Sequence, residues 1–248
     1  MDLSVIIPAY NEERRIGPTL ERVAAYLASR RWRSEVLVVI DGSRDRTAEI
    51  VGRVATDVPI RVLDSAVNHG KGSCVRRGML EARGDLRVFS DADLSTPIEE
   101  VERLAAMVAA GYDVAIGSRH LPGSRVEVRQ PWWRQTMGRG FNACTRRLVM
   151  TGIRDTQCGF KLFSADAARC IFPRQRIERF GFDVELLWIA RRLGLRVAEI
   201  PVTWVDDPRS TVRPISDAAR MLVDLVRIRQ ADRKGLYGPP AAPPPAAP

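Results

Sequence analysis

Val88-Phe89-Ser90-Asp91-Ala92-Asp93 is a short apolar run that ends in two aspartates one residue apart. An apolar run of this length reads as a buried strand, and the Asp-x-Asp pair then stands at the carboxyl edge of a sheet. In open α/β sheets that edge is where ligands bind. Two carboxylates side by side repel each other unless a cation lies between them. Hard ions such as Mg²⁺ or Mn²⁺ take oxygen ligands and share them with substrate phosphates.

Working outward, the chain alternates strands and helices. Residues 3–8, 35–40, 60–63, 86–90 and 113–117 read as strands. Helical spacing covers residues 16–28, through Ile16, Leu20, Val23 and Leu27. A second helix is expected over 47–55, with Asp45 as its cap. A third follows the glycine-rich turn 68–72 and runs to 82. A fourth opens with Thr96 as N-cap and Pro97 at its first position. This alternation predicts an α/β fold: a Rossmann-like, mostly parallel sheet with helices on both faces and right-handed crossovers.

After Arg119 the pattern changes. Residues 120–130 read as a basic loop, 131–150 as a long helix, 155–163 as a loop and short strand, 183–193 as a helix and 197–204 as a strand. Residues 215–228 form an amphipathic helix with Ala218, Met221, Leu222, Leu225 and Val226 on one side and Arg220, Asp224 and Arg227 on the other. Docking of this helix on its own core is the first expectation, with a membrane or a partner protein as the other choices. The domain reading is one domain over 1–212, the amphipathic helix over 213–236 and a disordered Pro/Ala tail over 237–248.

The 248 residues carry a formal charge of +9 and a pI near 10.1, so anionic partners are expected. Lys occurs only at 71, 161 and 234 in a chain otherwise rich in Arg, as nucleotide-composition bias would produce; each retained Lys marks a place where a compact ammonium matters. The four cysteines, 74, 144, 158 and 170, form no Cys-x-x-Cys pair, which points to a reducing compartment and away from zinc. The chain enters its first strand at once, so no signal peptide is expected. No apolar run approaches bilayer-spanning length, and any membrane contact is expected to be peripheral.

Acids end three strands: Glu12 after the first, Asp41 after the second, Asp91 and Asp93 after the fourth. Each alone reads as a helix cap; together they line one edge of one sheet. Gly70-Lys71-Gly72 has the make-up of a phosphate cradle, but neither the P-loop nor the dinucleotide spacing. The arginines between 119 and 147, with Trp132 and Trp133 among them, suit a solvated basic face or a membrane-interface helix. No nucleic-acid fold is apparent, so nucleic acid is not an expected partner. Asp183 and Glu185 read either as first-turn helix acids or as site carboxylates.

Taken together, Val5-Ile-Ile-Pro-Ala-Tyr-Asn-Glu12, Asp41-Gly-Ser43, Asn68-His-Gly-Lys-Gly72, Asp91-Ala-Asp93 and Gly117-Ser-Arg119 resemble the family two inverting glycosyltransferases of GT-A fold. Asp155-Thr-Gln-Cys-Gly-Phe-Lys-Leu-Phe163 and Phe182-Asp-Val-Glu-Leu-Leu187 are similar to the polyprenyl- or dolichyl-phosphate β-glucosyltransferase branch, and the resemblance spans residues 3–204. It implies that Pro8, Tyr10, Glu12 and Asp41 line the nucleotide, that Lys71 lies near it, and that Asp91 and Asp93 hold Mg²⁺ or Mn²⁺ on the diphosphate. It implies that Arg119 and Arg134 receive the lipid phosphate, and that Gln157, Lys161 and Asp183 face the sugar or diphosphate. Asp93, Asp183 and Arg119 are then the catalytic candidates. One departure is Ile40 before Asp41, where the family often carries two aspartates.

The implied reaction is metal-dependent transfer of a hexose, glucose from UDP-glucose first, to a polyprenyl or dolichyl phosphate. The expected setting is the cytoplasmic face of a membrane, bound peripherally, with room for a membrane-protein partner. Mannosyl transfer from GDP-mannose and transfer to a hydroxyl are the alternatives. A lipid phosphate is already an anion and needs no base; a hydroxyl would need one, from Asp183 or Asp155. A nucleotidyltransferase would carry a glycine-rich basic loop after its first strand, where this chain has Ala9-Tyr-Asn-Glu-Glu13. A purely basic binding module leaves the three acidic strand ends without a use.

Overall fold

In a computed structural model of the chain, the described residues are 1–127, 145, 152–205 and 214–238, with backbone alone for 214–219. The strands are β1 (Leu3–Ala9), β2 (Ser34–Asp41), β3 (Ile60–Ser65), β4 (Leu86–Ser90), β5 (Val114–Ser118), β6 (Arg125–Val126), β7 (Phe160–Ser164), β8 (Val197–Pro201) and β9 (Thr203–Trp204). Seven of them form one sheet in the order β3-β2-β1-β4-β7-β5-β8, and β6 pairs with β9 in a separate ribbon. All neighbours in the large sheet are parallel except β7, which runs antiparallel to β4 and β5 on either side of it. The expected strand 197–204 is therefore two strands that serve different sheets, and the expected loop 120–130 contains β6.

Successive side chains of a strand face opposite sides. Ile6, Leu37, Val39 and Phe89 enter one core, while Val5, Ile7, Val36, Val38 and Val88 enter the other. Helices α1 (Ile16–Ala28) and α4 (Val101–Ala109) cover the second face. Helices α3 (Lys71–Glu81), α5 (Ala165–Ile171), α6 (Phe182–Arg192) and α7 (Pro214–Arg233) cover the first, and α2 (Thr47–Arg53) packs beside α1. Helices on both faces of a mostly parallel sheet are the expected architecture. The β1–β4 ladder ends at Ile6↔Phe89, so the missing N–H of Pro8 costs no bond on that side.

Three local expectations change. Thr96 does not cap a helix: the chain passes through Pro97 in extended conformation into a 3-10 turn, Ile98–Glu100, before α4, and the Thr96 hydroxyl lies 3.8 Å from Cys158 Sγ. Helix α7 turns a different face inward. Asp224, Leu225 and Ile228 are buried, while Leu222 and Val226 are exposed. Gly181 is the reason: a Cβ there would lie 2.6 Å from Asp224 Cβ, so the absence of a side chain lets Asp224 seat against the α6 amino terminus. Tyr237, assigned by composition to the tail, is 1% exposed and donates a 2.6 Å hydrogen bond to Glu185 Oε1. Apart from residue 145, which is helical, the expected helix over 131–150 lies outside the described residues, as does the tail from 239.

Candidate active site

The carboxyl ends of β1, β2 and β4 bring three loops together. Asn11, at φ 55°, turns the chain sharply after β1; its backbone N–H donates to Ser43 Oγ and its side-chain oxygen accepts from Arg44 N. Glu12 N donates to Thr47 Oγ1 at 2.8 Å, which locks the first loop to the second. Tyr10 is 41% exposed on this edge and Pro8 is partly exposed beside it.

Asp41 has an assignable local job. Its two carboxylate oxygens accept from His69 N and Gly70 N, each at 2.8 Å, so it closes the glycine-rich turn. Gly70 sits at φ 115°, a region closed to ordinary side chains, and a Cβ there would lie 2.6 Å from Glu178 O. The turn thereby delivers Lys71 at the start of α3, and Lys71 Nζ meets Asp91 Oδ1 at 2.5 Å. Burial works against the Lys71 ammonium, but Asp91 and Asp183 outweigh it and hold its pKa up.

Asp91 and Asp93 follow β4 directly. Asp93 Oδ1 accepts from Ser95 N at 2.9 Å, and Leu94 between them is forced to φ 48°. For a leucine that backbone is strained by about 1–3 kcal/mol, as residues at functional sites often are. Burial and then the Asp91 charge push the Asp93 carboxyl pKa up. Arg15 approaches Asp93 at 3.8 Å while pairing with Glu12 at 2.6 Å. Burial also raises the Glu12 pKa against the pull of Arg15.

A second layer lies beneath. Gly159 ends the loop before β7, and a Cβ there would lie 2.5 Å from Asp91 Cγ, so the carboxyl rests directly on that glycine. Lys161, on β7, is fully buried; its ammonium donates to Cys158 O at 2.6 Å and to Asp183 Oδ1 through a short contact. It is thus held by Asp183 beneath the sheet edge, where Lys71 is the partly exposed ammonium. Asp183 is 5% exposed, its pKa raised by burial against the two lysines. With its carboxylate engaged by Lys161, it is poorly placed to act as a base.

Arg119 leaves β5 and is gripped by Asp155, Nε to Oδ2 at 2.7 Å and Nη2 to Oδ1 at 2.9 Å, with its guanidinium 5.4 Å from the Trp204 ring centre. Asp155 is fully buried, and Arg119 holds its carboxyl well below the usual range despite that burial. Asp155 thus orients Arg119. Gln157 Nε2 contacts Met221 Sδ of α7 at 3.6 Å. Glu185, fully buried, accepts from Arg176 N, Ile177 N and Tyr237 Oη, a structural use and not a catalytic one. Arg134 lies outside the described residues.

The structure gathers Lys71, Asp91, Lys161 and Asp183 into one alternating network, and Glu12 and Asp93 around Arg15. Arg15 is the addition to the expected set; its spacing of three from Glu12 at a helix start was the available signal. Among the described residues no three His, Cys, Asp or Glu side chains group to hold a metal on their own. Two hard carboxylates, one of them short of counter-charge, suit an ion that completes its shell with substrate phosphates. Among the described residues no helix is long and apolar enough to cross a membrane.

Comparison with known proteins agrees with this geometry. The Glycosyl transferase family 2 model matches residues 4–172. A dolichyl-phosphate beta-glucosyltransferase of Trichomonas vaginalis is 42% identical over 244 residues, covering 94% of this chain and 72% of that protein. The Homo sapiens dolichyl-phosphate beta-glucosyltransferase is 36% identical over 242 residues, covering 92% and 74%. A crystal structure of glucosyl-3-phosphoglycerate synthase from Mycobacterium tuberculosis with Mn²⁺, UDP-glucose and phosphoglyceric acid superposes with a TM-score of 0.67 at 19% identity, over 97% of this chain and 81% of that one. That likeness speaks to the fold, which is the GT-A arrangement.

Proposed function

Because this chain belongs to glycosyl transferase family 2, we propose that it transfers glucose from UDP-glucose to dolichyl phosphate or a related polyprenyl phosphate, with inversion at the anomeric carbon. The observation that carries the donor half is the meeting of Lys71 and Asp91 at 2.5 Å, beside Asp93, on the carboxyl edge of the sheet. An ammonium and two carboxylates there are the groups a cation-bound nucleoside diphosphate requires. The sugar and the acceptor rest on relatives at 34–42% identity that carry the name dolichyl-phosphate beta-glucosyltransferase.

In the reaction an acceptor phosphate oxygen attacks the anomeric carbon as the bond to UDP breaks, and the electron pair leaves with UDP. Asp93 and Asp91 would hold the divalent cation, Mg²⁺ or Mn²⁺, whose chemistry is to offset charge on the diphosphate. Lys71 offsets more of that charge at the moment it develops. Glu12, fixed by Arg15 and Thr47, walls the nucleotide side with Pro8 and Tyr10, and Asp41 acts through the turn that presents Lys71. Arg119 positions the acceptor: its Nε and Nη2 are taken by Asp155, and its Nη1 is the edge turned over to the phosphate. Arg134 joins it in this reading. The acceptor is an anion, so no general base is needed and Asp183 keeps Lys161 as partner. The reaction is placed at the cytoplasmic face of a membrane, a setting that the unpaired Cys74, Cys158 and Cys170 support.

The test is transfer of radiolabel from a panel of nucleotide sugars to polyprenyl phosphate, with Mn²⁺, Mg²⁺ or chelator. Glucose from UDP-glucose is the expected label, and chelator abolishes it. No transfer to lipid from any donor refutes the proposal, and label from GDP-mannose alone reassigns the sugar.

A further inference from the structure

Helix α7 docks with its buried seam on the core and leaves a second, apolar face outside. Leu222 is 43% exposed, Val223 51% and Val226 53%. Leu222, Val226, Arg229 and Arg233 are spaced four, three and four residues apart, so they stand in one line along the helix. Its first half is aliphatic and its second half cationic, continued by exposed Lys234. Aliphatic side chains level with arginines on one helix face suit the boundary between lipid headgroups and acyl chains. The net charge of +9 complements an anionic surface.

The same helix touches the candidate site. Met221 Sδ contacts Gln157 Nε2, and Asp224 packs on Gly181, two residues before Asp183. Met221 and Asp224 belong to the inward seam of α7, so the helix stands between its outer face and Gln157. The strand pair β6–β9 repeats the combination near Arg119: Val126 is 40% exposed next to Arg125, and Trp204 of β9 underlies Arg119.

We propose that the outer face of α7, formed by Leu222, Val223 and Val226 with Arg229 and Arg233, is the seat of an anionic lipid bilayer. This rests on the lipid-phosphate reading of the reaction, but its test does not. The full chain is floated with phosphatidylcholine vesicles, with and without phosphatidylglycerol, and with no polyprenyl phosphate present. The expected result is flotation with the anionic vesicles, reversal by salt, and a loss of about tenfold in the doubly substituted Leu222→Asp, Val226→Asp chain. Both positions are exposed, so the thermal midpoint and transfer to a short, detergent-dispersed prenyl phosphate stay at the wild-type level. Transfer to acceptor embedded in vesicles falls with the flotation.

Three results overturn the proposal: no flotation of the wild-type chain, equal flotation of the double variant, or equal binding to neutral vesicles. A concentration-dependent dimer that the double substitution dissolves, with flotation unchanged, assigns the face to a second copy instead and also overturns it. Anionic flotation lost on substitution, in a chain that transfers no sugar to any lipid phosphate, upholds the surface and refutes the reaction.

Discussion

Replacing Gly159 by Ala isolates the placement of Asp91 from the stability of the fold. The new Cβ would lie 2.5 Å from Asp91 Cγ and 2.8 Å from Oδ1. Carbon atoms rest at about 3.5–4.0 Å, so the carboxyl must retreat by about 1 Å. Asp91 is 32% exposed on its side chain and can swing toward water, breaking its contact with Lys71. Losing a partly exposed ion pair costs about 1 kcal/mol or less. A displacement of about 1 Å in a group that positions the reacting diphosphate costs about a hundredfold in rate, or about 2.7 kcal/mol of barrier. Steady-state transfer with UDP-glucose, titrated with Mn²⁺, should show that loss in kcat/KM and a weaker metal dependence, while the thermal midpoint moves by only a few degrees. Gly52→Ala is the control. It lies within α2 with nothing within 4 Å of its new Cβ, and it should leave activity alone and stabilise by about 0.5–1 kcal/mol. If Gly159→Ala keeps activity within twofold of wild type, Asp91 is not held at a working position by that glycine, and the ligand assignment fails.

Asp155→Asn should lower the affinity for the acceptor more than for the nucleotide sugar, because it frees Arg119 to rotate; separate KM values for the two substrates decide it. Its pH signature follows from the depressed carboxyl. Asp155 is held below its ordinary value of about 3.8 in the folded chain, so its stabilisation is present above about pH 4 and is lost as pH falls further; acid unfolding curves should be shallower in the Asn variant. Tyr237→Phe removes the hydroxyl from the buried Glu185 carboxylate and should destabilise by about 1.5–3 kcal/mol, read as a lower urea midpoint. Asp183→Asn should retain transfer to lipid phosphate, since the acceptor needs no base, though the unpaired Lys161 should lower the thermal midpoint; abolished turnover in a folded variant would restore the base assignment.

The elements that run on local pattern were legible from residues alone. Helix α1 is found at residues 16–28 as its spacing implies, and β4 at 86–90, because an apolar repeat has one packing solution when both ends are marked. The carboxylates at the sheet edge were legible for the same reason: a strand end fixes where the next residue stands. What the residues do not announce is who meets whom across the chain. That Lys161 is held by Asp183, 22 residues later, is visible only once β7 is placed between β4 and β5. Asp155 reads as a possible base until Arg119 is seen clamped to it from 36 residues away. The inward face of α7 was mistaken because hydrophobicity favoured Leu222 and Val226, whereas the seat is cut by a glycine, Gly181, that admits Asp224.

The position of β7 has a consequence for synthesis. Strands β3, β2, β1 and β4 are complete once residue 90 has been made, and they pair in parallel with one another. The outer edge of β4, however, is paired by residues 160–164, which reach the folding chain only after about 70 further residues have been added. At about 5–20 residues per second, β4 therefore waits several seconds with an open row of N–H and C=O groups on an apolar strand. Open edges of this kind template pairing with other chains. Arg87 is the second residue of that edge strand, pairing in register with Phe163, and its guanidinium donates to Met79 O and Gly84 O within the nascent half-sheet. A buried arginine there makes the waiting edge a poor template for a neighbour's strand, so the chain carries its own protection through the interval before β7 arrives.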